Sequence, residues 1–233
     1  MTGSLVSPAT RDRVRGLATP IATALGRLGL TPNALTLIGF LGTCVAAFAA
    51  ANQWWLAAGV LVLAFGIFDL FDGTLARATG QATKLGAFLD STFDRAGESL
   101  VYVGIAAGSL AGSFQLGALL AIAALAASSL VPYARAKSES LGFTPGSGMA
   151  NIGLAPREIR TAIVSIGLIA TGLAGRVVDC MALAPDQVRG CVWGTHAGDG
   201  TLALTVTLGL ITILATITTI QRILHVRAQS REG

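Results

Sequence analysis

Four aspartates carry most of the chemical information in this chain. Asp69 and Asp72 are three residues apart, Asp90 and Asp94 four apart, and both pairs fall in long apolar stretches. On a helix, residues at those spacings share a face, so each pair presents two carboxylates to one side. A carboxylate inside a membrane span costs at least ~2.5 kcal/mol on insertion scales. Four of them in low dielectric cannot all stay ionised without a partner. Two kinds of partner are physically reasonable. One is divalent cations, whose hardness suits carboxylate oxygens, with Mg²⁺ or Mn²⁺ as candidates. The other is a proton or sodium pathway of the kind an ion-coupled transporter uses.

The elements that position these residues follow from composition. The chain has 233 residues, 53% hydrophobic and only 12% charged, with a mean hydropathy of +0.69. A soluble domain carries about 25% charged residues. Half that content cannot cover a globular surface, which excludes a soluble domain, a disordered chain and a disulfide-stapled secreted module. The expectation is an all-α, polytopic membrane protein forming one membrane domain over 1–233. Its length suits six helices of about 20 residues each. The net charge of +4 suits anionic lipid, and no basic cluster is interleaved with aromatics, so no nucleic-acid partner is expected.

The charge-free runs and their breaks predict spans at 32–51, 54–78, 83–109, 115–140, 156–175 and 200–224. Thr31 and Pro32 suit a cap and first turn. Residues 142–155 read as a loop rich in Gly, Pro, Ser and Asn, and 176–199 as a second, outer loop. Val14, Leu17, Ile21, Leu25 and Leu28 recur at helical spacing between arginines, which predicts an amphipathic helix over 9–28 on the inner membrane surface. No apolar core of a signal peptide lies in those residues, so no leader is expected. With the N-terminus inside, only Arg176 and Arg189 of the sixteen basic residues fall outside. The positive-inside rule thus predicts six spans with both termini cytoplasmic. Cys180 and Cys191 share the outer loop and are placed to pair or to stay as thiols, whereas Cys44 is expected to pack inertly.

Spans two and three are joined near Gly80-Gln81, so antiparallel neighbours should have numbers summing to about 162. Asp72 with Asp90 and Asp69 with Asp94 satisfy this, which predicts that the pairs meet at one depth. Eight residues separate Asp69 from Arg77, so that depth is within ~12 Å of the inner end at 1.5 Å per residue.

The residues between the aspartates narrow the choice. The segment reads Asp69-x-x-Asp72-Gly73-x-x-Ala76-Arg77, then eight residues to Gly86, three to Asp90 and three to Asp94. This pattern resembles the signature of the CDP-alcohol phosphatidyltransferase family at every fixed position, and the resemblance extends over about 9–225. It implies a six-helix enzyme core over 32–225, a homodimer in the plasma membrane, and an active site at the cytoplasmic side. It further implies displacement of CMP from CDP-diacylglycerol or a related CDP-linked lipid by an alcohol. Mg²⁺ or Mn²⁺, two ions, would be held by Asp69, Asp72, Asp90 and Asp94, neutralising the pyrophosphate. Asp94 also carries over as the general base. Gly73, Ala76 and Gly86 leave room for the CDP-lipid, Arg77 is placed to meet its phosphates, and Thr31 and Asn33 open span one on the same side.

A second set of residues bears on the acceptor. Only fifteen uncharged residues run from Thr161 to Gly175, too few to cross a bilayer. Span five must therefore take in Arg157 and Arg160 at its inner end. Arg135 and Lys137 close span four and Arg222 closes span six on the same side. Basic residues from three helices at one level suit an anionic acceptor such as a sugar or polyol phosphate. These short motifs are most similar to those of prokaryotic phosphatidylinositol-phosphate synthases, which implies inositol phosphate as acceptor. The chain departs from that pattern in Ala155-Pro156-Arg157-Glu158-Ile159-Arg160 and in having Lys137 where arginine is usual. Phosphatidylglycerol-phosphate synthesis from glycerol 3-phosphate is the alternative.

Overall fold

The protein is described by a computed structural model. It describes residues 19–143, 153–175, 191–192, 195–196 and 200–232, with the side chains of 69, 70, 191, 192, 195, 196 and 232 outside that set. Six long helices dominate: α1 (Pro32–Ala51), α2 (Trp55–Ala78), α3 (Lys84–Ala111), α4 (Gln115–Ser140), α5 (Arg157–Ala174) and α6 (Gly200–Glu232). They fall on the six spans predicted from the sequence. α6 continues eight residues past its expected end, carrying Arg227 and Arg231 beyond the length a bilayer requires. Four of the six, α1, α2, α4 and α6, are apolar and long enough to cross a membrane. α3 and α5 carry the charged residues.

Local chemistry sets the helix ends. The Thr31 hydroxyl accepts from the Ala34 amide at 3.2 Å, with Pro32 in the first turn behind it. Thr83 caps α3 in the same way, accepting from the Gly86 amide at 3.0 Å. The turn after α1 places Gln53 at φ 62°, and its side-chain amide donates to the Gly108 carbonyl at 2.9 Å. Residues 19–27 are helical, inside the predicted amphipathic helix, and 9–18 lie outside the described residues. Ala22 is buried and Leu25 packs with Leu35 and Leu75. That contact seats the helix against the start of α1 and the end of α2. Cys44 is half-buried on α1 as expected, and Cys180 lies outside the described residues. A two-residue antiparallel pair, β1 (Cys191–Val192) with β2 (Thr195–His196), was not anticipated in the outer loop.

The six helices pack as a closed ring in the order α1, α2, α5, α6, α4, α3 and back to α1. The predicted α2–α3 hairpin is corrected here: among the described residues these two helices share no extended packing face, and α1 packs on both. The reason lies in the side chains of α1. Its buried positions are Gly39, Gly42, Ala46, Ala47, Ala49 and Ala50, together with Leu35 and Thr36. Small residues let backbones approach closely where lipid gives no hydrophobic drive between helices. A Cβ at Gly104 of α3 would lie 2.2 Å from the Ala47 carbonyl oxygen. Gly104→Ala is therefore expected to force α1 and α3 apart at a cost of about 1–3 kcal/mol, the usual range for overpacking. The thermal midpoint of the detergent-solubilised variant measures this, and an unchanged midpoint would refute the close approach.

Candidate active site

The four aspartates come from the two helices that flank α1. Asp72, on α2, is only 4% exposed. Thr36 of α1 donates to its Oδ2 at 2.6 Å, and the Gly73 amide donates to its Oδ1. The carboxylate is thus tied to α1 as well as to its own helix. Asp69 lies one turn earlier on α2, with its side chain outside the described set. Asp90 and Asp94 are half-buried on α3. Phe93, beside Asp94, stacks on Phe40 of α1 with ring centroids 4.9 Å apart, which fixes that turn of α3 against α1. Among the described residues no three acidic, histidine or cysteine side chains form a metal-sized group.

The residues expected on the nucleotide side lie at the start of α1, the end of α2 and the start of α3. The guanidinium of Arg77 lies over Gly73, its Nη1 3.5 Å from where a Cβ would stand. Gly86 of α3 faces Asn33 of α1, whose Oδ1 is 3.2 Å from the corresponding point. Both glycines therefore leave surface that a side chain would fill. Ala76 is half-buried on α2, and Thr31 serves as the α1 cap.

The expected acceptor residues divide into two groups. Arg157 of α5 reaches across the ring and pairs with Asp94, Nη1 to Oδ2 at 2.5 Å, both partly open to solvent. Arg160, by contrast, is 1% exposed. Its Nε and Nη2 donate to the two oxygens of Glu98 at 2.9 Å, and its Nη1 donates to the Ala155 carbonyl at 2.9 Å. Arg222 is also buried and donates to the Val131 carbonyl of α4. Direct contact of Arg160 and Arg222 with an acceptor is not what this arrangement displays, because protein partners hold both. Arg135 and Lys137 are exposed on α4, and Arg135 pairs with Glu139 at 2.8 Å.

Several participants carried no recognisable signal in the sequence. Thr36 is one, since a threonine four residues into a helix resembles any other. Arg95 is another, 3.8 Å from Asp94 and 3.2 Å from Glu98, whereas Glu98 itself was visible in part. The spacing of Asp94 and Glu98, one helical turn, was the visible hint. The resulting network holds the guanidiniums of Arg95, Arg157 and Arg160 against the carboxylates of Asp94 and Glu98. Arg222 lies within Coulombic reach of Arg135, Arg160 and Arg95. Three guanidiniums thus meet two carboxylates in this network, with Asp90 one turn before Asp94 on α3.

Residues 29–226 match the model of the CDP-alcohol phosphatidyltransferase family. An archaetidylinositol phosphate synthase of Pyrococcus horikoshii is 38% identical over 67% of this chain and 78% of its own length. A phosphatidylinositol phosphate synthase of Cutibacterium acnes is 34% identical over 89% of this chain and 91% of its own. Among solved structures, the Mycobacterium tuberculosis phosphatidylinositol phosphate synthase with CDP-DAG bound superimposes with a TM-score of 0.71. It is 27% identical and covers 90% of this chain and 92% of its own. The same protein has been solved in complex with manganese and citrate, with a TM-score of 0.70 over 90% of this chain and 88% of its own.

Proposed function

The chain belongs to the CDP-alcohol phosphatidyltransferase family, and we propose that it transfers the phosphatidyl group of CDP-diacylglycerol to inositol phosphate, giving phosphatidylinositol phosphate. It is a multi-pass membrane transferase of CDP-linked lipids. The family assignment replaces the ion-coupled transporter that the carboxylates alone allowed. In our reading the six helices all span, both termini and the active site are cytoplasmic, the membrane is the plasma membrane, and the enzyme works as a homodimer. Charge asymmetry supports the orientation, and family resemblance supports the dimer.

The observation that carries the acceptor is the pair of guanidiniums, Arg157 and Arg95, beside Asp94. An acceptor whose phosphate takes Arg157 arrives with its hydroxyls beside Asp94, because those two side chains are 2.5 Å apart. The relatives add support: their names differ in the lipid, archaetidyl or phosphatidyl, and share the inositol phosphate.

The donor set fits a divalent cation, since Asp72 offers a buried carboxylate, oriented by the Thr36 hydroxyl and the Gly73 amide, of the hard anionic oxygen type such ions take. Asp69, Asp72 and Asp90, with Asp94 at the edge, would hold Mg²⁺ or Mn²⁺, two ions in this reading, which when bound neutralise the pyrophosphate. The manganese-bound neighbour supports a divalent metal. Gly73, Ala76 and Gly86 line the nucleotide's resting surface, with Arg77, Asn33 and Thr31 around it. Asp94 accepts the proton of the attacking hydroxyl. The hydroxyl oxygen bonds to the lipid-linked phosphorus, and the bond from that phosphorus to the bridging oxygen breaks. CMP leaves with the electron pair. Arg157 holds the acceptor phosphate, with Arg135 and Lys137 at the mouth and Arg160 and Arg222 buried behind.

An acceptor panel tests the reading. CMP release from CDP-diacylglycerol with Mg²⁺ is compared for inositol phosphate, glycerol 3-phosphate, inositol and serine. Inositol phosphate is expected to give the highest kcat/KM; a preference for glycerol 3-phosphate would make the chain a phosphatidylglycerol-phosphate synthase instead. Arg157→Ala should lower acceptor kcat/KM by about 10- to 150-fold, the worth of a charge-assisted hydrogen bond, with CDP-lipid affinity unchanged. Arg157→Lys should rescue only in part, lacking the planar fork.

A further inference from the structure

α3 and α5 stand on opposite sides of the ring, three places apart in either direction. Two ion pairs nevertheless join them through the interior. Asp94 and Glu98 lie one turn apart on α3, and Arg157 and Arg160 lie three residues apart on α5, so each set shares a helix face. The rungs are Asp94–Arg157 and Glu98–Arg160.

The two rungs differ in character. Asp94–Arg157 is a contact through one guanidinium nitrogen, with the side chains 14% and 28% exposed. Glu98–Arg160 is a fork-to-fork pair with its arginine 1% exposed. Bidentate pairs of this kind fix geometry as well as charge. Arg160 also grips the Ala155 carbonyl, and the Ala155 amide donates to Thr218 of α6 at 3.0 Å. One connected chain of bonds thus runs from α3 through the start of α5 to α6. α5 has no side-chain cap of its own, since its N-cap position is Pro156. The buried rung is the tie that sets the height and rotation of its first turn.

We infer that Glu98 is a positioning residue for transfer: by holding Arg160 across the ring it aims Arg157, one turn away, at the acceptor side of Asp94. This rests on the phosphorylated-acceptor reading above. In this reading Glu98 acts through Arg160, which it binds, and through that arginine on the placement of Arg157.

The test is kinetic and uses the full-length enzyme in detergent or liposomes. Glu98→Gln keeps one acceptor oxygen but removes the charge and half the fork. Its acceptor kcat/KM should fall by about 10- to 100-fold, as for loss of a charge-assisted contact, with the KM for CDP-diacylglycerol within about twofold of wild type. Glu98→Asp should retain part of the activity. The double variant Glu98→Leu/Arg160→Met removes the buried pair without leaving a lone charge. Such replacements are often neutral or stabilising, so its thermal midpoint should match or exceed wild type while acceptor kcat/KM stays depressed. If the double variant regained wild-type acceptor kinetics, the rung would serve folding alone and the inference would fall. It would fall equally if Glu98→Gln left the acceptor kcat/KM unchanged or raised it, since Arg157 would then be aimed without the buried rung. A wild type that prefers an uncharged acceptor would sink the underlying reading instead, an outcome seen before any variant is compared.

Discussion

Asp72→Asn is expected to abolish turnover at ordinary Mg²⁺ concentrations, with a loss of about 10³-fold or more. The figure follows from what the carboxylate does. Metal-bound charge stabilisation is worth several kcal/mol in a transition state, and each 1.36 kcal/mol is a factor of ten in rate. Asparagine is nearly isosteric and its carbonyl can still accept from Thr36, so the α1–α2 contact is kept while the Gly73 amide loses its side-chain acceptor. What is lost is one anionic oxygen ligand. The thermal midpoint should therefore stay near wild type while Mn²⁺ binding, followed by calorimetry or paramagnetic resonance, disappears. Thr36→Val is the graded control. It removes the hydroxyl that orients the Oδ2 of Asp72 at 2.6 Å and leaves the charge, so metal affinity should fall about 10- to 100-fold, as for other outer-shell partners. Near wild-type turnover of Asp72→Asn at low Mg²⁺ would remove this carboxylate from the metal site.

Helix placement was legible in the sequence because it depends on local quantities. The charge-free run from Leu28 to Phe68, the Thr31-Pro32 start and the breaks between the runs locate α1 to α4 to within two residues. The shortage of uncharged residues after Thr161 forces Arg157 and Arg160 into α5, where they are found. Ring order was not legible. Joining α2 to α3 by a five-residue turn made them neighbours on paper, yet α1 packs on both of them. Which helices touch depends on the fit of Gly104 and Gly108 against Ala47 and Ala50, a matter of surfaces and not of linker length. The division within the basic cluster was also hidden. Arg157 and Arg160 look alike at i and i+3, and only the position of Glu98 on a distant helix makes one a buried strut and leaves the other at the cleft.

Asp94→Asn should separate chemistry from binding. In the proposed mechanism Asp94 is the general base for the attacking hydroxyl, and such a group contributes about 10²- to 10⁴-fold. Transfer to the acceptor should fall by that factor. CDP-diacylglycerol and metal should still bind, because Asp69, Asp72 and Asp90 are untouched. The pairing with Arg157 gives the prediction a second edge. Residues in direct contact are not additive in their effects, and these two are 2.5 Å apart. Arg157→Ala alone loses the grip on the acceptor phosphate, and Asp94→Asn alone loses the base. In the double variant the acceptor is neither held nor deprotonated, so much of what either side chain did is already gone after the first substitution. The combined loss in acceptor kcat/KM should then be smaller than the product of the single losses. A double variant whose losses multiply would mean that the side chains act on different substrates. Loss of CDP-lipid binding in Asp94→Asn alone would make that carboxylate a ligand of the donor complex, and the base would have to be sought elsewhere on the inner face of the ring.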